Sequence, residues 1–81
     1  MGVYQGPSAA KSIAVSHLTE YVVGAFATEG VVIYKADTGE KLKRIDYEKE
    51  RCIHVEFNYG DTELLIVNIS QGMGIIRTYD F

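Results

Sequence analysis

The sequence has one cysteine, Cys52, and no tryptophan. A single cysteine cannot make an internal disulfide, so no disulfide framework holds the chain together, and this usage fits a reducing compartment. No run of about 18 apolar residues is present, the length a membrane-spanning helix requires. The opening Met1-Gly2-Val3-Tyr4-Gln5-Gly6-Pro7 has neither the basic region nor the apolar core of a secretory signal. Gly6 also stands where the myristoylation pattern asks for Ser or Thr. An excess of positive charge is lacking: the balance is mildly acidic, with a formal net charge of −3. Phosphate binding needs a basic face, so nucleic acid is not expected as a direct partner. No segment joins a helix cap to an amphipathic stripe.

What is present is strand periodicity. The chain has 81 residues, 47% of them apolar, which makes one domain or less and is too apolar for a disordered tail. The clearest unit is Val31 to Ile45. Val31 to Tyr34 is β-branched and aromatic, and suits a buried strand. Ala36-Asp37-Thr38-Gly39-Glu40 is a turn: Asp37 can bond the backbone two residues on, and Gly39 can take a positive φ. Leu42 and Ile45 then return among Lys41, Lys43 and Arg44. A hairpin with an apolar first strand and a charged second one belongs at the edge of a sheet.

Around this hairpin the order is regular. Gly2 to Gly6 is the tail of a strand, broken at Gly6-Pro7-Ser8, and Ala9, Ala10 and Lys11 form a turn or linker. Strands are expected over Ser12 to His17 and Tyr21 to Phe26, with a turn at Ala27 to Gly30. Tyr47 to Arg51, with Glu48, Lys49, Glu50 and Arg51, is expected to be a solvated connection. Cys52 to Phe57 alternates, Ile53, Val55 and Phe57 on one face and Cys52, His54 and Glu56 on the other. Glu63 to Ile69 is expected to be a buried strand, and Met73 to Phe81 the last one. The fold class is all-β, an antiparallel meander of seven or eight short strands.

The strands repeat. Ile13-Ala14-Val15 lines up with Ile53-His54-Val55, and Val32-Ile33-Tyr34 with Arg77-Thr78-Tyr79. A period of roughly 40–45 residues with three or four strands per unit is a β-propeller signature. Tyr34-Lys35 and Tyr79-Asp80 sit where Trp-Asp is usual, and Gly6-Pro7 where Gly-His is usual. In these residues the chain resembles the WD-repeat β-propeller family. Lys35 and Pro7 depart from that pattern, so the side-chain network of many such blades is not carried over.

Within the family it is most like the WD-repeat subunits (subunit i) of eukaryotic translation initiation factor 3. That likeness is carried by Tyr4-Gln5-Gly6, Ala36 to Leu42, Arg51 to Gly60, Gln71-Gly72-Met73-Gly74 and Tyr79-Asp80-Phe81. The resemblance implies about two blades, the second incomplete: residues 1–7 end a preceding blade, 12–47 form a complete one and 51–81 an incomplete one. It also implies a non-enzymatic scaffold in the cytoplasm. The partners would be other protein subunits of a multi-protein complex, among them initiation factor subunits and the small ribosomal subunit, with no membrane partner.

Repeat units bury their faces on neighbours, and at least about three are needed for stability. Under two units are present here. The expectation is therefore a fragment, a truncated product, or a unit that assembles with copies of itself or with a partner, the isolated chain self-associating. The alternative is a small self-contained β domain that binds a ligand or itself.

No catalytic, cofactor-binding or metal residues stand out. Cys52 and His54 are expected to share a strand face, but two ligands do not make a zinc site. Ser, His and Asp occur without a nucleophile-elbow or triad pattern. Gly72-Met73-Gly74 precedes no helix, so it reads as a turn rather than a phosphate cradle. Asn68-Ile69-Ser70 matches a glycosylation acceptor but ends an apolar strand. Among the tyrosines, Tyr34 and Tyr79 hold repeat-equivalent core positions, whereas Tyr47 and Tyr59 are the candidate surface anchors for a protein partner.

Overall fold

Alternating and β-branched segments become seven strands in the computed structural model, which describes residues 10–26 and 30–81. They are β1 (Ala10–Val15), β2 (Tyr21–Phe26), β3 (Gly30–Lys35), β4 (Lys41–Ile45), β5 (Arg51–Phe57), β6 (Glu63–Ser70) and β7 (Met73–Asp80). They form two antiparallel meanders, a four-stranded sheet in the order β1-β2-β3-β4 and a three-stranded sheet in the order β5-β6-β7. The expected all-β meander is what the chain adopts. The strand expected at Gly2 to Gly6, the break at Gly6-Pro7 and residues 27–29 of the turn lie outside the described residues. Ala10 and Lys11 belong to β1 rather than to a turn. Ala10 pairs with Phe26, and a register shift before Ser12 absorbs the extra residue.

The hydrophobic core lies between the sheets. Residues paired across antiparallel strands share a face. In β2 and β3 these are Val23 with Ile33 and Ala25 with Val31, all buried. They pack against Cys52, Val55, Phe57, Leu64 and Ile66 of the second sheet. Ile45 and Tyr79 close the sides of this core. Lys43 reaches across from β4, its Nζ 5.1 Å from the centre of the Tyr79 ring. Backbone contact between the sheets is closest at β1 and β5, where the Val55 N–H donates to Ser12 Oγ at 3.2 Å. We call the face of each sheet that looks into this core inner, and the opposite one outer.

Two expectations about faces are corrected. The alternation predicted for Cys52 to Phe57 is broken by a register shift between Cys52 and His54. The extra residue turns Cys52 into the core with Val55 and Phe57 and leaves Ile53 and His54 exposed. Cys52 and His54 therefore do not share a face, because one inserted residue reverses every side chain beyond it. In the Leu64 to Val67 run, burial alternates. Leu64 and Ile66 are fully buried, and Leu65 and Val67 only half so.

On the outer face of the first sheet, Phe26, Val32 and Tyr34 cluster with Val22. Gly24 makes this possible, since a Cβ there would stand 2.7 Å from Phe26 Cε2.

The turns use specific backbone chemistry. Gln71 and Gly72 close the β6–β7 hairpin with φ of 51° and 78°, the two positive values that match the twist of the strands they join. In the β3–β4 hairpin the Gly39 N–H donates to the Lys35 carbonyl and Lys35 N–H to the Glu40 carbonyl, both at 2.8 Å. The side chain that accepts two residues on is that of Thr38, from Glu40 N–H at 3.3 Å. Gly39 has φ of 74°, as its place in the turn predicted. A β-branched residue there must take a left-handed conformation that costs roughly 1–2 kcal/mol. Gly39→Val is therefore expected to lower stability by about 1 kcal/mol or more. An unchanged midpoint in urea would refute the turn's dependence on glycine.

Candidate interaction surface

At one end of the sheets the β1–β2, β3–β4 and β5–β6 loops come together. Ser16 is buried and organises the first: its Oγ accepts Glu20 N–H and Tyr21 N–H at 2.9 and 3.0 Å. Asn58 does the same for the β5–β6 loop, its Oδ1 accepting Thr62 N–H and Glu63 N–H at 2.9 and 2.8 Å. The two units also close alike. Ala36 N–H donates to the Glu20 carbonyl and Phe81 N–H to the Thr62 carbonyl, each at 2.9 Å.

Asp61 ties the two loops to each other. Its Oδ1 accepts His17 N–H at 2.8 Å and lies 2.9 Å from His17 Nδ1, and its Oδ2 accepts Leu18 N–H at 2.9 Å. Burial pushes the Asp61 carboxyl up, but the hydrogen bonds from His17 and Leu18 outweigh it and hold the group below its ordinary value. A carboxylate that gathers two backbone N–H groups from another loop fixes that loop's position.

Fixing these loops presents their apolar tips. Tyr59 is 92% exposed and Leu18 73% exposed. The Tyr59 ring lies 5.5 Å from that of His17, so the clasp sits directly beneath it. Beside them a groove of about 420 Å³ is lined by Thr19, Glu20, Tyr21, Lys35, Asp37 and Leu42. An exposed aromatic on a braced loop next to a mixed polar and apolar groove is the composition of a protein-recognition surface.

Tyr47, the other predicted anchor, lies at the opposite end of the sheets. It is half-buried, packs against the core and carries Arg77 4.6 Å above its ring centre. The connection around it is more than a solvated loop. The Glu50 side chain is only 9% exposed. Its Oε1 accepts Asn68 Nδ2–H at 2.8 Å and Arg77 Nε–H at 2.9 Å, and its Oε2 pairs with Arg77 Nη2. Sequence reading missed this because Arg77 and Asn68 lie on other strands. The same network occupies Asn68, which is buried and therefore closed to glycosylation. Hydrogen bonds from Arg77 and then Asn68 lower the Glu50 pKa from 4.5 to about 2, against the opposing effect of burial.

The remaining chemistry-bearing groups are dispersed. Burial pushes the Cys52 thiol up, opposite to the shift that makes a cysteine reactive. His54 is exposed and lies 3.2 Å from Glu56. Among the described residues no group of three or more His, Cys, Asp or Glu side chains comes together to hold a metal.

No protein-family model matches the chain, and no curated protein matches it. Among solved structures, the chain is similar to the crystal structure of the Myceliophteria thermophila Cps50 (Swd1) β-propeller domain. The TM-score is 0.64 at 13% sequence identity, over 93% of this chain and 27% of that one. The likeness shows the fold: the two sheets are stacked as part of a β-propeller, and the chain spans 27% of the length of that structure.

The Glu50 network makes stability depend on acidity. Its folded pKa lies below the ordinary 4.5, so its contribution is fully present above about 4.5 and is lost as the pH falls from there towards 2. Glu50→Gln cannot ionise and should lack that part of the acid destabilisation. It should also be less stable than the parent at neutral pH, where Arg77 has lost its anion. Urea midpoints measured against pH check both. Parallel curves for the two proteins would remove Glu50 from the account.

Proposed function

We propose that the chain is part of a non-enzymatic WD-repeat scaffold that holds other proteins together. The observation that carries the reading is the braced, apolar loop end: Tyr59 and Leu18 are exposed on the two loops that the Asp61 clasp joins, and Leu18 adjoins the groove. Exposed apolar tips cost solubility unless a partner covers them. The propeller fold supports the same reading, since its blades leave loops and edges free for recognition.

In this reading residues 12–47 are one complete blade, 51–81 the start of the next, and 1–7 the end of one before. The finer assignment rests on the residues resembling the WD-repeat subunits of translation initiation factor 3. Its partners are then other subunits of that complex and the small ribosomal subunit, met in the cytoplasm. The chain's net negative charge supports contact through protein rather than directly through nucleic acid. Tyr59 is the main anchor. Tyr47 contributes at the opposite end through the part of its ring that Arg77 leaves open.

Affinity purification with mass spectrometry tests both levels. The full-length product should co-purify initiation factor subunits, and the double variant Leu18→Ser, Tyr59→Ala should recover several-fold less of them with an unchanged β-type circular dichroism spectrum. Partners unrelated to translation would overturn the finer assignment. Undiminished recovery by the variant would overturn the loop end as the docking surface.

A further inference from the structure

The groove beside the loop end joins two carboxylates to an apolar wall. Ala36 N–H donates to the Glu20 carbonyl at 2.9 Å, which ties the turn after β3 to the end of the β1–β2 loop. That bond brings Glu20 and Asp37, one residue beyond Ala36, to the same groove. Tyr21 is packed against the core, and Lys35 pairs with it across β2 and β3. Between β3 and β4 the register slips, so that Ile33 pairs with Lys43 and Tyr34 with Lys41. Leu42 is the residue left over, and it lines the groove at 45% exposed.

The charges of the groove are not paired with each other. Among the described residues the side chains of Glu20, Asp37 and Lys35 form no ion pair. Asp61 and Glu50 differ in this, since hydrogen-bond donors from other segments satisfy both. Two carboxylates against one ammonium make the groove net negative. An anionic groove with an apolar wall suits a side chain that is apolar along its stem and cationic at its tip. An acidic segment would set its carboxylate against Glu20 and Asp37. A purely apolar one would cover both without pairing them.

The site is also built in advance. Ser16 Oγ holds the backbone N–H groups of Glu20 and Tyr21, so this wall loses little freedom on binding. The volume of about 420 Å³ falls within the roughly 300–1,000 Å³ of ligand sites.

We infer that the groove takes a basic side chain, lysine or arginine, from an extended segment of the protein partner. Its stem lies on Leu42 and Tyr21, and its charged tip lies between Glu20 and Asp37. The inference rests on the scaffold reading for the source of the segment and adds its chemistry. The loop end then makes two kinds of contact: Tyr59 and Leu18 supply apolar area, and the groove selects charge.

Nuclear magnetic resonance titration of the full-length product tests it, with end-blocked peptides Gly-Ser-X-Ser-Gly in which X is arginine, lysine, glutamine or glutamate. A basic peptide should move the amide signals of residues 19–21 and 35–42 saturably, and the glutamine peptide should bind roughly tenfold more weakly or not at all. Glu20→Gln combined with Asp37→Asn should weaken the basic peptides about tenfold or more and keep the parent's β-type spectrum. If that variant loses its spectrum, Leu42→Lys puts a like charge in the groove and should weaken them as much. Lys35→Gln should tighten them. Equal binding of the glutamine peptide, binding that these variants leave unchanged, or no saturable shift would overturn the proposal. So would a preference for the glutamate peptide that Lys35→Gln abolishes. Partner recovery by the variant Leu18→Ser, Tyr59→Ala judges the loop end separately. Basic-peptide binding with undiminished recovery upholds the groove and fails only the loop end, and the reverse result overturns only the groove.

Discussion

An apolar sheet face must be covered by something, whereas the opposite face of an antiparallel sheet can meet water. In this chain the first sheet lays Val23, Ala25, Val31 and Ile33 on Cys52, Val55, Phe57, Leu64 and Ile66 of the second. Without that contact the apolar inner face of each sheet would lie in water. The close approach of β1 to β5, the orientation of the loop end and the position of Tyr79 under Lys43 all follow from it.

Two carboxylates secure what the core alone leaves loose. Asp61 joins the β5–β6 loop to the β1–β2 loop, and Glu50 joins the connection before β5 to β6 and β7. Both are held below their ordinary pKa, because in each case hydrogen-bond donors outweigh burial. One clasp underlies the exposed Tyr59 and the other half-covers Tyr47. In each case the ionised side chain lies on the same loop as the candidate anchor and ties that loop to a different segment, Asp61 to the β1–β2 loop and Glu50 to β6 and β7. That arrangement suits a recognition surface: the apolar tip stays available, and the polar group that orders it is already satisfied.

The sequence by itself determined the strands and their order. Val, Ile and Tyr at period two, punctuated by Gly39, by Asn58 to Asp61 and by Gln71-Gly72, place β2 to β7 close to their observed bounds. The repeat of Tyr34 at Tyr79 carried the propeller architecture, because both residues follow from the same local unit. Tyr59 was also legible, since a tyrosine in a turn beside Gly60 has no strand to bury it.

Tertiary structure decided the rest, for one physical reason: these features depend on residues far apart in the chain. The side on which Cys52 lies was set by a bulge formed against β6, which no alternation within β5 announces. Glu50 looks like one charge among Glu48, Lys49 and Arg51 until Arg77 and Asn68 are brought to it from two other strands. Asp61 looks like a turn residue until His17 and Leu18 present their N–H groups to it. Local periodicity fixes which side chains can face inward, and only the packing of one sheet on another fixes which partners they meet there.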